Sequence, residues 1–94
     1  NAMAYTAKYK ERVYKTQPIL GNRLGRFAVK LDFSVLRIAK ATGATRQTIY
    51  NWFIGKPVAP YYKGTVQIML DILSKSQTAE EAWRETCKEF NLKA

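Results

Sequence analysis

The sequence has no histidine and a single cysteine, Cys87, among its 94 residues. Without histidine it lacks the general base of most serine and cysteine hydrolases and the commonest ligand of catalytic zinc. A lone cysteine cannot form an intramolecular disulfide, and no basic cluster is clearly aimed at this one, so we assign it no chemistry. We therefore expect a protein that is not an enzyme and that uses no metal, cofactor or small-molecule substrate.

Long hydrophobic runs are absent as well. The purely apolar runs have at most three or four residues, whereas a helix that spans a bilayer needs roughly 20. Asn1 and Ala2 resemble an expression scar ahead of a native Met3, and nothing after them resembles a signal peptide. We expect a single domain, because a chain of 94 residues can form one core. We also expect it in the cytoplasm with no membrane partner, since neither a membrane-spanning run nor a signal peptide is found.

Acidic residues are scarce in the first two thirds of the chain. Residues 1–63 hold twelve Lys and Arg against Glu11 and Asp32, a net charge of +10. Residues 64–94 hold four Lys and Arg against five acidic residues, a net charge of −1. The positive part would attract a polyanion. Nucleic acid is the favoured partner, and an anionic membrane surface is the weaker alternative, because no predicted helix pairs a basic face with a strongly apolar one.

The apolar residues predict an all-α domain of five helices over residues 19–94. Residues 1–18 comprise the scar and a basic N-terminal arm. The arm mixes tyrosines with basic residues without helical periodicity, and we expect it to be disordered or a short strand. Its basic residues either only aid solubility or bind phosphates or the minor groove of a nucleic acid. The five helices are expected at residues 19–31, between Ser34 and Gly43, from 46 to 53 or 54, from 61 or 65 to 73, and from Thr78 onward.

Polar residues mark the expected helix ends. Ser34 and Thr45 are suited to cap the second and third helices, because their side-chain oxygens can accept hydrogen bonds from the first turn. Thr78 begins a T-x-x-E capping box ahead of the fifth helix. Gly43 is expected to end the second helix in a left-handed conformation.

Residues 37–56, RIAKATGATRQTIYNWFIGK, have the spacing of two helices that cross at a sharp angle. Such a crossing needs a small residue at the contact, a turn residue that tolerates positive φ, and apolar anchors on the inner face of the second helix. These requirements are met in order by Ala39, Gly43, Ile49 and Trp52. The spacing predicts a helix-turn-helix formed by the second and third helices.

These residues resemble the lambda-repressor/Cro-like helix-turn-helix DNA-binding domains of phage and bacterial regulators. The resemblance extends from residue 20 to residue 73. It is carried by Ile38-Ala39, Gly43, Ile49, Trp52 and Gly55-Lys56. Two positions differ from the family pattern: Val35 stands where many members have a glutamine, and Phe53 stands where many have a glutamate. Phe53 indicates tighter apolar packing or a contact surface near the end of the third helix.

The resemblance implies a compact five-helix bundle that docks its third helix in the major groove of DNA. The residues then expected to read base edges are Arg46, Gln47, Tyr50 and Asn51. Arginine can pair with guanine, and glutamine or asparagine with adenine. Contacts with phosphates are expected from Thr45, Thr48, Lys56, Tyr61, Tyr62, Lys63, Arg23 and Arg37.

The function expected on these grounds is sequence-specific binding of double-stranded DNA by a small transcriptional regulator of a phage or bacterium. A homodimer would be typical of the family. One alternative is a DNA packaging, excision or architectural factor. Another is a protein-interaction module, such as an antitoxin or anti-repressor, that uses the same scaffold without binding DNA.

Overall fold

The computed structural model describes residues 3–93, so the expected scar at Asn1 and Ala2 lies outside it. Over this range the chain is all-helical and contains no strand. The helices are α1 (Ala7–Lys15), α2 (Leu20–Leu31), α3 (Val35–Thr42), α4 (Arg46–Phe53), α5 (Pro60–Lys75) and α6 (Ala79–Phe90). None of the helices in residues 3–93 is both long enough and apolar enough to cross a membrane.

All three predicted N-caps are confirmed. The side chains of Ser34, Thr45 and Thr78 each accept a hydrogen bond from the backbone N–H three residues further on. Gly43 ends α3 with φ +80°, a conformation that glycine adopts without a steric penalty. At α6 the carboxylate of Glu81 accepts from a backbone N–H one residue before the cap, at 3.3 Å, and so stabilises the same turn.

The apolar faces predicted for the five expected helices form most of the core. In α4 and α5 the buried apolar positions recur at helical spacing: Ile49, Trp52, Phe53, Val66, Met69, Leu70 and Leu73. In α2, α3 and α6 the centre of the apolar stripe is buried and its edges are half-buried. The helix α2 lies at the centre of the fold, where it packs against α1, α4 and α5. Helices α3 and α6 complete the core: α3 packs on α4 and α5, and α6 packs on α3 and α5.

The expectation of a disordered or strand-like N-terminal arm is wrong, because residues 7–15 form α1. Residues 3–93 therefore contain six helices rather than five. Thr6 caps this helix by accepting from the N–H of Tyr9. Val13 is fully buried, and Tyr5, just before the helix, is buried with its hydroxyl donating to the carbonyl of Phe33. A division of the chain at residue 18 therefore separates elements that share one core.

Asn22 links three helices through one buried side chain. Its amide nitrogen donates to the carbonyl of Val13 in α1 at 2.8 Å and to the carbonyl of Phe53 in α4 at 2.7 Å. Its amide oxygen accepts from the guanidinium of Arg26 at 2.8 Å. The same guanidinium donates to two further carbonyls at the end of α1. Buried polar groups are costly unless they are hydrogen-bonded, and this network satisfies them.

Two glycines let α2 approach α4 closely. A Cβ atom added at Gly25 would lie 2.6 Å from Cγ of Phe53, and one added at Gly21 would lie 2.8 Å from Cβ of Trp52. The space beside α2 is thus filled by the aromatic side chains of α4. Of the two readings of Phe53, tighter apolar packing is the one observed, because this side chain is fully buried.

Candidate nucleic-acid interface

The corner between α3 and α4 fixes the direction in which α4 projects. A turn of three residues joins the helices, with Gly43 in the left-handed region, Ala44 buried and Thr45 as the N-cap of α4. Ile49 is fully buried and Trp52 is 2% exposed, so one face of α4 is anchored in the core. Its opposite face is therefore turned to solvent.

The predicted base-reading residues lie on that outer side but differ in exposure. Arg46 and Gln47 are exposed, whereas Tyr50 and Asn51 are half-buried. The amide nitrogen of Gln47 donates to the amide oxygen of Asn51 at 3.0 Å, one turn further along the helix. This bond orients the two amides relative to each other and leaves the Gln47 oxygen available as an acceptor.

Tyr50 is half-buried because α1 packs beside it. The hydroxyl of Tyr9 donates to the backbone carbonyl of Tyr50 at 2.7 Å, and the two rings meet edge to face with centroids 5.3 Å apart. The ring of Tyr5 stacks on Tyr9 at 6.1 Å. Sequence reasoning missed Tyr9 as part of this surface. The spacing of four between Tyr5, Tyr9 and Val13 is a helical stripe that could have revealed it.

Burial of these tyrosines affects their acid–base behaviour. Burial raises the pKa of Tyr5, and the neighbouring Tyr50, Tyr9 and Asp32 raise it further. Burial and Tyr50 also raise the pKa of Tyr9, while the positive charge of Arg12 lowers it. The net direction is upward for both hydroxyls, so both remain hydrogen-bond donors at neutral pH.

Thr45 and Thr48, at the start of α4, are hydrogen-bonded to each other. Their hydroxyls are 2.9 Å apart, and the hydroxyl of Thr45 also accepts from the N–H of Thr48 at 3.2 Å. Thr45 is exposed and Thr48 is half-buried. Both hydroxyls thus stabilise the helix end that carries Arg46, and Thr45 remains accessible from outside.

A second group of predicted residues follows α4. Lys56, Tyr61 and Lys63 are exposed, with Tyr61 at 85%. Tyr62 is half-buried, and its ring lies 5.4 Å from that of Trp52, which connects the start of α5 to α4. The N-cap of α5 is an alanine, which has no side-chain acceptor for the first-turn N–H groups.

The two remaining predicted phosphate contacts are placed against other helices. Arg37 forms an ion pair with Glu80 of α6 at 3.1 Å, and its guanidinium lies 5.1 Å from the ring centroid of Trp83. Arg23 is exposed and lies in a groove between α2 and α5, beside Phe27 and Asp71. Neither is therefore grouped with the outer face of α4.

A groove between α5 and α6 and the single cysteine lie away from this surface. A shallow groove of about 510 Å³ separates α5 from α6 and is lined mainly by charged side chains. Within residues 3–93, no group of three or more His, Cys, Asp or Glu side chains is arranged to hold a metal ion. Cys87 is buried in α6.

A scan of the chain against models of known protein families gives no match. Searches of curated proteins and of solved structures also give no match. The likeness to the lambda-repressor/Cro-like class therefore depends on residues 20–73 of this chain alone.

Proposed function

We propose that this chain is a lambda-repressor/Cro-like protein that binds double-stranded DNA in a sequence-specific manner. It would act as a small transcriptional regulator in the cytoplasm of a bacterium or of a phage-infected host. In this proposal α3 and α4 form the helix-turn-helix. The observation that carries it is the capped, solvent-facing start of α4, which presents Arg46 and Gln47 while Ile49 and Trp52 hold the helix in the core.

The size of α4 supports this mode of binding. With its side chains an α-helix is about 10–12 Å across, which fits the major groove of B-DNA, about 12 Å wide. In helix-turn-helix proteins the N-terminal residues of the second helix contact the base edges. Arg46 and Gln47 are the first two residues of α4 and are exposed.

The exposed groups of α4 also have the chemistry of base readout. The planar fork of Arg46 matches the O6 and N7 acceptors of guanine. Gln47 keeps its oxygen and one N–H free after bonding to Asn51, and these two groups match the N6 donor and N7 acceptor of adenine. The bond to Asn51 restricts the side chain of Gln47 before DNA arrives, which lowers the entropy lost on binding.

The positive charge of the first two thirds of the chain also favours nonspecific attraction to DNA. Residues 1–63 carry a net charge of +10. Lys56, in the connection from α4 to α5, and Lys63, near the start of α5, are both exposed and can contact phosphates. Such contacts fix the position of a protein on the duplex without reading its sequence.

The direct test is selection of duplexes from a random library, followed by fluorescence anisotropy at several salt concentrations. We expect an enriched consensus and an affinity whose logarithm falls linearly with the logarithm of salt concentration, with a slope of about −0.9 per phosphate contact. Binding without an enriched consensus would favour a packaging or architectural factor. No binding at low salt would contradict DNA binding and favour a protein-interaction module.

A further inference from the structure

Helix α1 packs mainly on α2, and α1 with the residue after it also approaches α4 and the turn after it at two points. Near its start, Tyr9 contacts Tyr50 through both its hydroxyl and its ring. Just beyond its end, Thr16 lies beside Gly55, where an added Cβ would be 3.1 Å from the threonine methyl group. The contact at Tyr9 places one side of α1 next to Tyr50 on the outer side of α4.

Two cations of α1 border this contact on the solvent side. A helix turns about 100° per residue, so Arg12 and Lys8 lie about 60° and 100° from Tyr9, both on the side away from the buried Val13. Both are exposed and, one turn apart, are neighbours on one face. Arg12 follows Tyr9 by three residues in α1, a spacing at which side chains are neighbours on the helix surface.

These two charges are not neutralised by acidic neighbours. Within residues 3–93, neither Lys8 nor Arg12 is part of an ion pair. The other exposed cation near them, Lys15, pairs with Glu11 at 3.1 Å. Lys8 and Arg12 therefore present a positive edge that continues from α1 toward the outer face of α4.

We propose that α1 is a second DNA-binding element, in which Lys8 and Arg12 bind phosphates along the edge of the groove that α4 enters. This inference rests on the proposed function. It assigns to α1 a contact set that is separate from the residues of α4 and of the connection to α5. Because the contact of Tyr9 with Tyr50 fixes α1 relative to α4, the two sets engage one duplex in a single register.

The test compares the salt dependence of two double variants that remove the same charge. Lys8→Ala/Arg12→Ala removes two cations beside α4. Lys75→Ala/Lys88→Ala removes two exposed cations from α5 and α6, each of which is paired with an acidic residue. Alanine favours helix at all four positions, and circular dichroism checks that both proteins remain folded.

We expect the slope of log affinity on log salt to become less steep by about 1.8 for Lys8→Ala/Arg12→Ala, on selected and scrambled duplexes alike. The variant at Lys75 and Lys88 should keep the wild-type slope. Equal slopes for the two variants would overturn the role of α1 while leaving DNA binding by α4 intact. Absence of wild-type binding at low salt would overturn both proposals together.

Discussion

The hydroxyl of Tyr9 donates a hydrogen bond of 2.7 Å to the backbone carbonyl of Tyr50, which lies 41 residues further along the chain. This bond joins the first helix to α4, the helix proposed to read DNA. With the edge-to-face packing of the two rings, it fixes α4 from the side that α3 does not cover. The position of α4 therefore depends on α1 as well as on α2 and α3.

Removing this hydroxyl should weaken the fold modestly. Tyr9→Phe keeps the ring contacts and loses the hydrogen bond, so we expect the free energy of unfolding to fall by about 1 kcal/mol. Urea denaturation followed by circular dichroism measures the change. Tyr14→Phe on the same helix is the control, because Tyr14 is 49% exposed and its hydroxyl should contribute little. Similar losses for both variants would contradict a specific role for Tyr9.

Arg46 should determine sequence choice rather than general affinity. Arg46→Ala should weaken binding to the selected duplex by roughly 1 to 3 kcal/mol, because a bidentate pair with guanine is lost, and should affect scrambled DNA far less. Anisotropy titrations on both duplexes measure the difference. Arg84→Ala removes the same charge from an exposed position on α6 and should change neither affinity appreciably. Equal losses on both duplexes for Arg46→Ala would show that this residue contacts phosphate only.

Adding a methyl group should have opposite effects at two glycines in helices. Gly25→Ala places a Cβ 2.6 Å from the buried ring of Phe53, so we expect a loss of about 1 to 3 kcal/mol from overpacking. Gly64→Ala, in an exposed turn of α5 with no atom within 4 Å of the new Cβ, should stabilise the protein by about 0.5 to 1 kcal/mol. Thermal unfolding of the two variants measures both changes. Stabilisation by Gly25→Ala would contradict the close approach of α2 to α4.

Raising the pH above about 10 should destabilise the protein through Tyr5. Burial raises the pKa of this hydroxyl above its ordinary value of about 10, so the unfolded chain releases the proton at a pH where the folded chain retains it. The stabilising contribution is complete below pH 10 and declines as the pH rises further, by up to about 1.4 kcal/mol per pH unit. Urea denaturation from about pH 8 to about pH 11 measures this decline.

Tyr5→Phe provides the matched control for that pH series. At neutral pH the variant lacks the hydrogen bond to the carbonyl of Phe33 and should be less stable by about 1 kcal/mol. Above pH 10 its stability should fall less steeply than that of the wild type, since Tyr5 no longer titrates. Parallel curves for the two proteins would contradict the raised pKa of Tyr5.

The sequence predicts the helices whose signals are local. Ser34, Thr45 and Thr78 occupy cap positions that depend only on the following turn, and Gly43 ends α3 for a similarly local reason. The start of α5 was expected one or more residues too late, although a proline at the first helical position is a known start signal. Most of the core faces could be predicted for the same reason, because their spacing follows the helical period.

What the sequence did not reveal depends on distant partners. The apolar stripe of α1 is narrow and most of its residues are polar, so its helical spacing is a weak signal, and its packing depends on the bonds that Asn22 and Tyr50 make with it from elsewhere in the chain. The predicted exposure of Arg46 and Gln47 is found, while Tyr50 is half-buried by α1, a neighbour that was not expected. Arg37 could not be placed in advance either, because its ion pair with Glu80 spans 43 residues.

The amide of Asn22 has a practical consequence for anyone shortening this chain. The boundary predicted at residue 18 makes Pro18 the obvious start of a shortened chain. Such a chain would retain all five helices that the sequence predicts. It would also lose the Val13 carbonyl that accepts from Asn22, together with the side chains of Tyr5 and Val13 that complete the core. The trimmed protein would therefore be less stable, and a failure of that protein to bind DNA would say little about the full chain.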